Sequence, residues 1–281
     1  MKIYKFKSYA KINLTLNIIS KSLHSKMHRI ESLVSFIDLA DIIKISENRL
    51  QKHQVIFDGK FSNNISAENT VSKVLRQLDK KKYLKGKKYL IKITKNIPQK
   101  SGMGGGSMNA ATILNFFFKQ KIINFNQVRN FAKKIGSDVM LGLNNKTKIL
   151  FSDNSLRELN KKISFYCILI KPRFGCSTKK VFSKNKIFSN KKYFKNKSLL
   201  VTKQDIVEGK NDLEHSALKM YPKLYALKSR LLSFKMGKFI RMTGSGSTIV
   251  VYFNSKISAE NAFKIYKRKL NKNWCILSKI I

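Results

Sequence analysis

Cysteine, proline, glycine and acidic residues are all scarce in this 281-residue chain. The three cysteines form no CxxC pair, which argues against a disulfide framework or a zinc site and favours a reducing compartment such as the cytoplasm. The longest strongly apolar run, 163–170, is far shorter than the ~20 residues that a membrane span needs. The first residues lack the continuous apolar block of a secretory signal. We therefore expect a cytoplasmic protein with no membrane partner.

Acidic residues number 15 against 58 lysines and arginines, so the formal net charge is +43. Such a charge is typical of proteins that bind nucleic acid through phosphate contacts. However, 49 of the cations are lysines spread along the whole chain and only 9 are arginines, whereas nucleic-acid readers favour arginine for bidentate contacts. Biased composition therefore explains the charge better, and a basic RNA-binding protein is the alternative. Because acids are so few, any acid in a distinctive stretch is a candidate functional group.

Strand and helix patterns mix without a regular βαβ rhythm, which predicts an α+β fold. The predicted strands cover 3–19, 31–47 (one or two strands), 53–59, 88–98, 163–170, 274–280 and a strand–turn–strand over 238–253. The predicted helices cover 67–82, 107–118, 126–143, 211–234 and 258–270, and 184–200 is predicted to be mainly loop. We expect the third helix to stop at Gly136, with Ser137 capping a short second helix, and the fourth to break at Pro222. A boundary near residue 150 divides the chain into domains 1–150 and 151–281.

The glycines concentrate in one loop between a predicted strand and a predicted helix, at Gly102, Gly104, Gly105 and Gly106. Glycine lets a ligand approach the backbone closely, and the free amides at a helix start carry partial positive charge. The loop therefore predicts a phosphate site, with the hydroxyl of Ser107 beside it. Neither a Walker A lysine nor the dinucleotide-binding spacing is present. A flexible loop or a packing turn is the structural alternative.

Three further features have both a structural and a functional interpretation. Lys11 lies in an apolar strand, where it could simply extend its ammonium to solvent. Asp138 follows a helix stop, where it could be a capping acid. The second glycine cluster, 242–248, is either a tight hairpin turn or a second backbone surface beside the same ligand. Taken one at a time, these alternatives stay open.

Four segments, "SYAKINLTLNI", "IPQKSGMGGGSMNAA", "GSDV" and "RMTGSGSTIVVYF", occur in the order found in the GHMP kinase superfamily. The chain most resembles the 4-diphosphocytidyl-2-C-methyl-D-erythritol kinase family of the non-mevalonate isoprenoid pathway, to which "AKINL" at 10–14 and "NDLE" at 211–214 are also similar. The resemblance covers nearly the whole chain. It implies a two-domain GHMP kinase fold, with an N-terminal domain like ribosomal protein S5 and a ferredoxin-like C-terminal domain. It also implies ATP-dependent phosphorylation of the substrate's 2-hydroxyl.

The resemblance assigns roles to individual residues. Asp138 would accept or orient the hydroxyl proton, while Lys11 would hold Asp138 ionised and neutralise charge on the transferred phosphoryl group. ATP would be bound, with Mg²⁺ bridging its oxygens and no separate protein metal site, by Pro98, Gly102, Met103, Gly104, Gly105, Gly106, Ser107 and Met108. The cytidyl substrate would be bound by Asn13, His28, Thr178, Gly244, Ser245 and Gly246, with His28 reading the cytosine ring.

The chain departs from the family at three methionines and at the turn expected after residue 150, which reads "SDNSLRE" and has no glycine. Met27 replaces a tyrosine before the histidine, Met108 replaces a second serine of the glycine loop, and Met140 replaces a proline. The catalytic pair and the loop glycines are intact. Another GHMP small-molecule kinase, of the homoserine or mevalonate type, is the second enzyme alternative, and the position of His28 favours the cytidyl substrate. We expect a monomer or a homodimer.

Overall fold

The computed structural model describes residues 2–21, 28–193 and 201–281. The chain folds as two compact units. Unit 1 comprises Met1–Lys11, Leu39–Gln99 and Gly104–Asn145, and unit 2 comprises Ile12–Asp38, Lys100–Met103 and Lys146–Ile281. Strands and helices occur in both units, which confirms the predicted α+β class. The chain leaves unit 1 for the last time close to the predicted boundary at 150, but earlier segments also belong to unit 2, so a division into 1–150 and 151–281 stays a prediction.

Two long strands contribute residues to both units: β1, Tyr4–Lys21, and β2, His28–Asn48. The segment predicted as one or two strands is a single strand. Residues 10–18 of β1 are all buried, and so are residues 31–37 of β2. Because both faces of these strands are covered, polar side chains on them must find partners inside the protein.

The other regular elements of unit 1 are strands and helices that alternate along the chain: β3 (Gln54–Asp58), α1 (Thr70–Lys80), β4 (Lys88–Thr94), α2 (Gly105–Lys119), α3 (Phe125–Ile135) and a short 3₁₀ helix (Met140–Leu143). Strand β4 pairs antiparallel with the second half of β2 and parallel with β3. The apolar faces of α1, α2 and α3 pack with Ile91 and Ile93 of β4 in one hydrophobic core. Residues 95–104, which include the first part of the glycine loop, connect the end of β4 to the start of α2.

Unit 2 contains a second sheet with strand order β10-β7-β9-β8, all antiparallel: β7 (Tyr166–Lys171), β8 (Phe239–Met242), β9 (Ile249–Phe253) and β10 (Trp274–Lys279). Short strands β5 (Lys148–Leu150) and β6 (Leu156–Glu158) extend from the first half of β2. The helices of unit 2 are α4 (Thr178–Ser183), α5 (Lys203–Glu208), α6 (Leu213–Met220), α7 (Pro222–Ser233) and α8 (Lys256–Lys269). Helices α6, α7 and α8 share one apolar core with the β7–β9 sheet.

Most predicted elements are confirmed, including the break at Pro222, which is the first residue of α7. The elements β5, β6, α4 and α5 were not predicted, because each is six residues or shorter and shows no full period of hydrophobicity. The prediction that Ser137 caps a second helix is wrong. The Val139 amide instead donates to the Gly136 carbonyl, and the 3₁₀ helix begins without a side-chain cap.

Strand β4 ends at Thr94, earlier than the predicted end at Pro98. The next amides have other acceptors, since those of Asn96 and Ile97 donate to the Asp41 carboxylate.

Among the described residues, no helix has both the length and the apolar run needed to cross a bilayer.

Lys148 in β5 generates a prediction about the pH dependence of stability. Its side chain is 2% exposed and its ammonium lies 5.3 Å from the Phe36 ring centroid. Burial lowers the pKa of Lys148 to about 8, with Lys146 adding to the shift and Glu158 opposing it. Since a lysine in an unfolded chain titrates near pH ~10.4, the unfolded state binds more protons between these values. The contribution of Lys148 to the free energy of unfolding therefore rises with pH in that window.

We expect the wild-type free energy of unfolding to rise by on the order of 2 kcal/mol between pH ~8 and pH ~10 through Lys148, and Lys148→Met to remove this rise. The measurement is chemical denaturation of the wild type and the variant over that range. Comparing the two cancels the titration of the other lysines. A difference in unfolding free energy that stays constant with pH would contradict the assignment.

Candidate active site

Lys11 and Asp138, which the sequence resemblance pairs, lie together in unit 1. The Lys11 Nζ is 3.4 Å from Asp138 Oδ2, and the two side chains are 5% and 36% exposed. The buried ammonium therefore sits against a carboxylate that reaches solvent. A cation at this distance compensates the negative charge of the carboxylate more strongly than it would in bulk water. The structure thus brings the two groups together, while their catalytic roles stay a prediction.

A tight turn after α3 holds Asp138. Its backbone carbonyl accepts the Leu141 amide at 3.2 Å, which begins the 3₁₀ helix. The turn is packed against α2 at Gly142, where an added Cβ would lie 2.8 Å from the Ala111 Cβ and 2.9 Å from the Met108 Sδ. Met108 is 2% exposed. The methionine that replaces the family serine therefore packs under the turn that carries Asp138.

Gly104 is the point of closest approach between the glycine loop and this ion pair. Its φ is +67°, and an added Cβ would lie 3.1 Å from both Cγ and Cε of Lys11 and 3.7 Å from Asp138 Oδ2. Gly104 is also the N-cap of α2 and has no side chain with which to cap the first amides. Those amides, at Gly105, Gly106 and Ser107, lie in the first turn, where helices leave N–H groups without intrahelical acceptors. The helix start is therefore suited to an anion.

Asn109 lies in the second turn of α2 and is 1% exposed. It donates through Nδ2 to Asp41, while within the described part of the chain its Oδ1 is a buried acceptor with no hydrogen-bond partner. Buried polar atoms are normally paired. Asn109 therefore connects α2 to Asp41 through one side of its amide group.

The first part of the glycine loop packs within unit 2. Gly102 has a φ of +77°, and an added Cβ would lie 2.1 Å from the Thr243 carbonyl oxygen. The Thr248 amide donates to the Ser101 carbonyl at 3.3 Å. The two glycine clusters therefore contact each other, with Met103 fully buried beside Gly102. Pro98 is buried at the end of the preceding segment of unit 1.

The predicted substrate residues of unit 2 form two small groups. The Asn13 amide donates to Thr243 Oγ1 at 3.0 Å, and its Nδ2 donates to Ser32 Oγ at 2.7 Å. The Thr178 hydroxyl, at the start of α4, lies 2.8 Å from the hydroxyl of Ser245, which is in the turn that contains Gly244 and Gly246. The structure thus connects Asn13 to the second glycine turn through Thr243, a residue that the sequence analysis did not single out.

His28 packs against Phe182 of unit 2, with ring centroids 5.4 Å apart. Burial, with a smaller contribution from Lys21, lowers the pKa of His28 below its ordinary value, so that its neutral form is favoured. Its Nε2 is buried and has no hydrogen-bond partner among the described residues. Met27, the replacement for the family tyrosine, lies outside the described residues. Phe182 was missed by sequence analysis because it lies in the short helix α4, which gave no periodic signal.

The "NDLE" segment, whose similarity to the family was noted without a role, holds the second glycine turn in place. Asn211 donates through Nδ2 to the carbonyls of Met242 and Gly244, at 2.7 and 2.8 Å. The Glu214 carboxylate accepts the Met242 amide at 3.2 Å and pairs with Lys228. The segment therefore supports the turn rather than contacting a ligand through these atoms.

Among the described residues, no three His, Cys, Asp or Glu side chains come together as a metal site.

Replacement of Gly104 tests the anion site. Gly104→Ala places a methyl group against the Lys11 side chain, so we expect ATP affinity to fall at least about tenfold as the loop and the lysine shift. Gly86→Ala is the matched control, because Gly86 also has a positive φ, +82°, but an added Cβ would meet no atom within 4 Å. Backbone strain should lower the free energy of unfolding of both variants by about 1 kcal/mol. Only Gly104→Ala should bind ATP weakly. Calorimetric titration with ATP and thermal melts measure the two effects, and equal ATP affinity in the two variants would contradict the assignment.

Comparisons with known proteins agree with the resemblance seen in the sequence. The GHMP kinases N terminal domain family matches residues 69–146, and the GHMP kinases C terminal family matches residues 197–272. The 4-diphosphocytidyl-2-C-methyl-D-erythritol kinase of Pelagibacter ubique is 48% identical over 283 residues, covering 100% of both chains. The protein of the same name from Thermoanaerobacter pseudethanolicus is 30% identical over 278 residues, covering 95% of this chain and 93% of that one.

The fold agrees as well. A crystal structure of 4-(cytidine 5′-diphospho)-2C-methyl-D-erythritol kinase aligns with a TM-score of 0.78 and 18% identity, covering 99% of each chain. The two family matches and this alignment confirm the predicted GHMP kinase fold. Identity of 48% over the whole length also confirms the resemblance to the more specific family. The chain belongs to the 4-diphosphocytidyl-2-C-methyl-D-erythritol kinase family of the GHMP kinases.

Proposed function

We propose that this protein transfers the γ-phosphoryl group of ATP to the 2-hydroxyl of 4-diphosphocytidyl-2-C-methyl-D-erythritol. The observation that carries the proposal is the Lys11–Asp138 pair at 3.4 Å, next to Gly104 at the uncapped start of α2. It occurs in a chain 48% identical over its full length to a kinase named for that substrate. A positioned carboxylate, a buried cation and free helix amides are the groups that phosphoryl transfer to an alcohol requires.

In this mechanism Asp138 orients the substrate hydroxyl and accepts its proton as the hydroxyl oxygen attacks the γ-phosphorus of ATP. The bond from that phosphorus to the bridging oxygen breaks, and ADP leaves with the electron pair. A general base must come within hydrogen-bond reach of the proton that it takes, and the partly exposed Asp138 carboxylate is open to such an approach. Lys11 is almost fully buried, so its ammonium acts where the surrounding protein screens charge weakly. It compensates Asp138 before the reaction and offsets the charge that develops on the transferred group.

The amides of Gly105, Gly106 and Ser107 bind phosphate oxygens at the start of α2, and the Ser107 hydroxyl adds a donor. Pro98, Gly102, Met103 and Met108 belong to the same predicted ATP segment and shape the loop through packing. Mg²⁺ is commonly held by one or two carboxylates together with substrate phosphates, and Asp138 is a solvent-reaching carboxylate beside this loop. When bound, the ion would neutralise charge on the phosphates.

We assign recognition of the cytidyl group to unit 2. His28 packs against Phe182, burial lowers its pKa and so favours its neutral form, and its Nε2 has no hydrogen-bond partner among the described residues. A neutral imidazole can both donate and accept, which suits the donor and acceptor edge of a base. Further contacts with the substrate stay predictions for Asn13, Thr178, Gly244, Ser245 and Gly246.

In the described chain all three cysteines are thiols, and burial raises the pKa of Cys176 to about 11. These thiols support the inference of a cytoplasmic location.

The first test of the proposed function is Asp138→Asn. Removing a positioned general base should lower kcat by about 10²–10⁴-fold, while ATP affinity measured by calorimetry stays within about threefold of the wild type. Asp58→Asn, at an exposed position of the same unit, controls for the change of charge and should keep full activity. Phosphate transfer is followed with 4-diphosphocytidyl-2-C-methyl-D-erythritol, homoserine and mevalonate in parallel. Unchanged turnover by Asp138→Asn would remove Asp138 from this role, and preference for homoserine or mevalonate would redirect the substrate assignment.

The second test concerns His28. Losing its hydrogen bond in His28→Ala should raise KM for the cytidyl substrate by about tenfold, with KM for ATP unchanged. Since the pKa of His28 lies below the ordinary value of about 6.5, the wild-type KM for this substrate should stay flat from neutral pH down to that value and rise only below it. His215→Ala, at an exposed histidine of the same unit, is the control. An equal effect of the two substitutions would exclude His28 as a base-reading residue.

A further inference from the structure

Asp41, a residue of β2 that the mechanism above does not use, has a carboxylate with four hydrogen-bond donors in unit 1. Its side chain is 0% exposed. Oδ1 accepts the backbone amides of Asn96 and Ile97, at 2.8 and 2.9 Å. Oδ2 accepts Nδ2 of Asn109 at 3.0 Å and the ammonium of Lys95. Because a carboxylate has about four acceptor positions, Asp41 is saturated by these contacts.

The four donors come from the two sides of the glycine loop. Three belong to residues 95–97, which lead from β4 into the loop, and the fourth belongs to Asn109 in the second turn of α2. Asn96 makes a further bond on the same strand, donating through Nδ2 to the Ala40 carbonyl at 2.9 Å. One buried carboxylate therefore joins the segment that enters the loop to the helix that leaves it.

Asp41 also determines where a buried cation lies. The Lys95 side chain is 5% exposed, and its Nζ would lie 3.3 Å from a Cβ added to Gly105, the first residue of α2. A helix start carries partial positive charge, so an ammonium there is unfavourable unless an acid compensates it. Asp41 supplies that acid. Without it, both the ammonium and the helix start would lose the contact that fixes them.

We propose that Asp41 is a positioning residue for nucleotide binding. It acts through the backbone of Asn96 and Ile97 and through Asn109, holding the loop and the first turn of α2 at the spacing that the phosphates require. The inference rests on the proposed function, since it presumes that this loop binds ATP. It predicts an effect on ATP affinity rather than on the affinity for the cytidyl substrate.

The test is the Asp41→Asn variant, which keeps the shape of the side chain but not its charge or its four acceptor positions. We expect kcat/KM for ATP to fall about 10- to 100-fold, mainly through KM, with KM for the cytidyl substrate unchanged. Asp79→Asn is the matched control. Asp79, also in unit 1, accepts hydrogen bonds from Lys88 at 2.8 Å and His53 at 2.9 Å, and these partners lie outside the glycine loop. Normal ATP affinity in Asp41→Asn would overturn the proposal.

A second comparison separates positioning from simple compensation of the Lys95 charge and remains informative if Asp41→Asn folds poorly. In the Lys95→Gln background Asp41 has no buried ammonium to compensate, so the double variant Asp41→Asn/Lys95→Gln should fold. We expect the double variant to bind ATP about tenfold more weakly than Lys95→Gln alone, because the Asn96 and Ile97 amides still lose their acceptor. Equal ATP affinities would show that Asp41 only compensates Lys95 and would overturn the inference.

Calorimetric ATP binding to the wild type keeps the two proposals distinct. A wild type that binds ATP but does not phosphorylate the cytidyl substrate contradicts the proposed function and leaves the Asp41 comparison valid. A wild type that does not bind ATP overturns both proposals.

Discussion

The arrangement around the glycine loop depends on two lysine ammonium groups buried near the start of one helix. Lys11 and Lys95 are each 5% exposed, and each is paired with a carboxylate, from Asp138 and Asp41. A buried ammonium without a partner is destabilised by several kcal/mol, and the positive end of a helix adds to that penalty. Each cation therefore needs its own acid. The result is a concentration of compensated positive charge beside the uncapped start of α2.

Several of the few acids in this chain are used inside the protein, as Asp41 is. The chain has 15 acids against 58 lysines and arginines, and several of the acids are buried against backbone amides instead of facing surface lysines. Glu31 accepts the Lys192 amide at 2.9 Å, and Asp212 accepts the Ile18 amide at 2.7 Å. Buried carboxylates with such donors hold backbone segments in place. The large net charge is consistent with a surface of solvated lysines around an interior in which acids occupy fixed structural positions.

Two methionines that depart from the family pattern, Met108 and Met140, pack around the turn that carries Asp138. Met108 lies beneath Gly142, where its sulfur fits against the turn that carries Asp138. Met140, in place of a proline, begins the 3₁₀ helix and packs against the unit 1 core. Methionine adapts its shape to irregular gaps. Both methionines therefore pack around the Asp138 turn, where the family has a hydroxyl and a rigid ring.

The sequence by itself determined the α+β class, most strands and helices and the position of the glycine loop. Those features are local, because periodic hydrophobicity marks an element and a glycine cluster before a helix is visible in a short stretch. The pairing of Lys11 with Asp138 came from the family resemblance, since no local pattern links residues so far apart in the chain. Only the tertiary structure decided which distant groups meet. Asp41 was assigned no role from the sequence, because its partners Asn96 and Asn109 lie 55 and 68 residues away. The short helix that brings Phe182 to His28 shows no full hydrophobic period. The partners of a buried carboxylate or ring are set by how sheets and helices pack, and local sequence does not encode that.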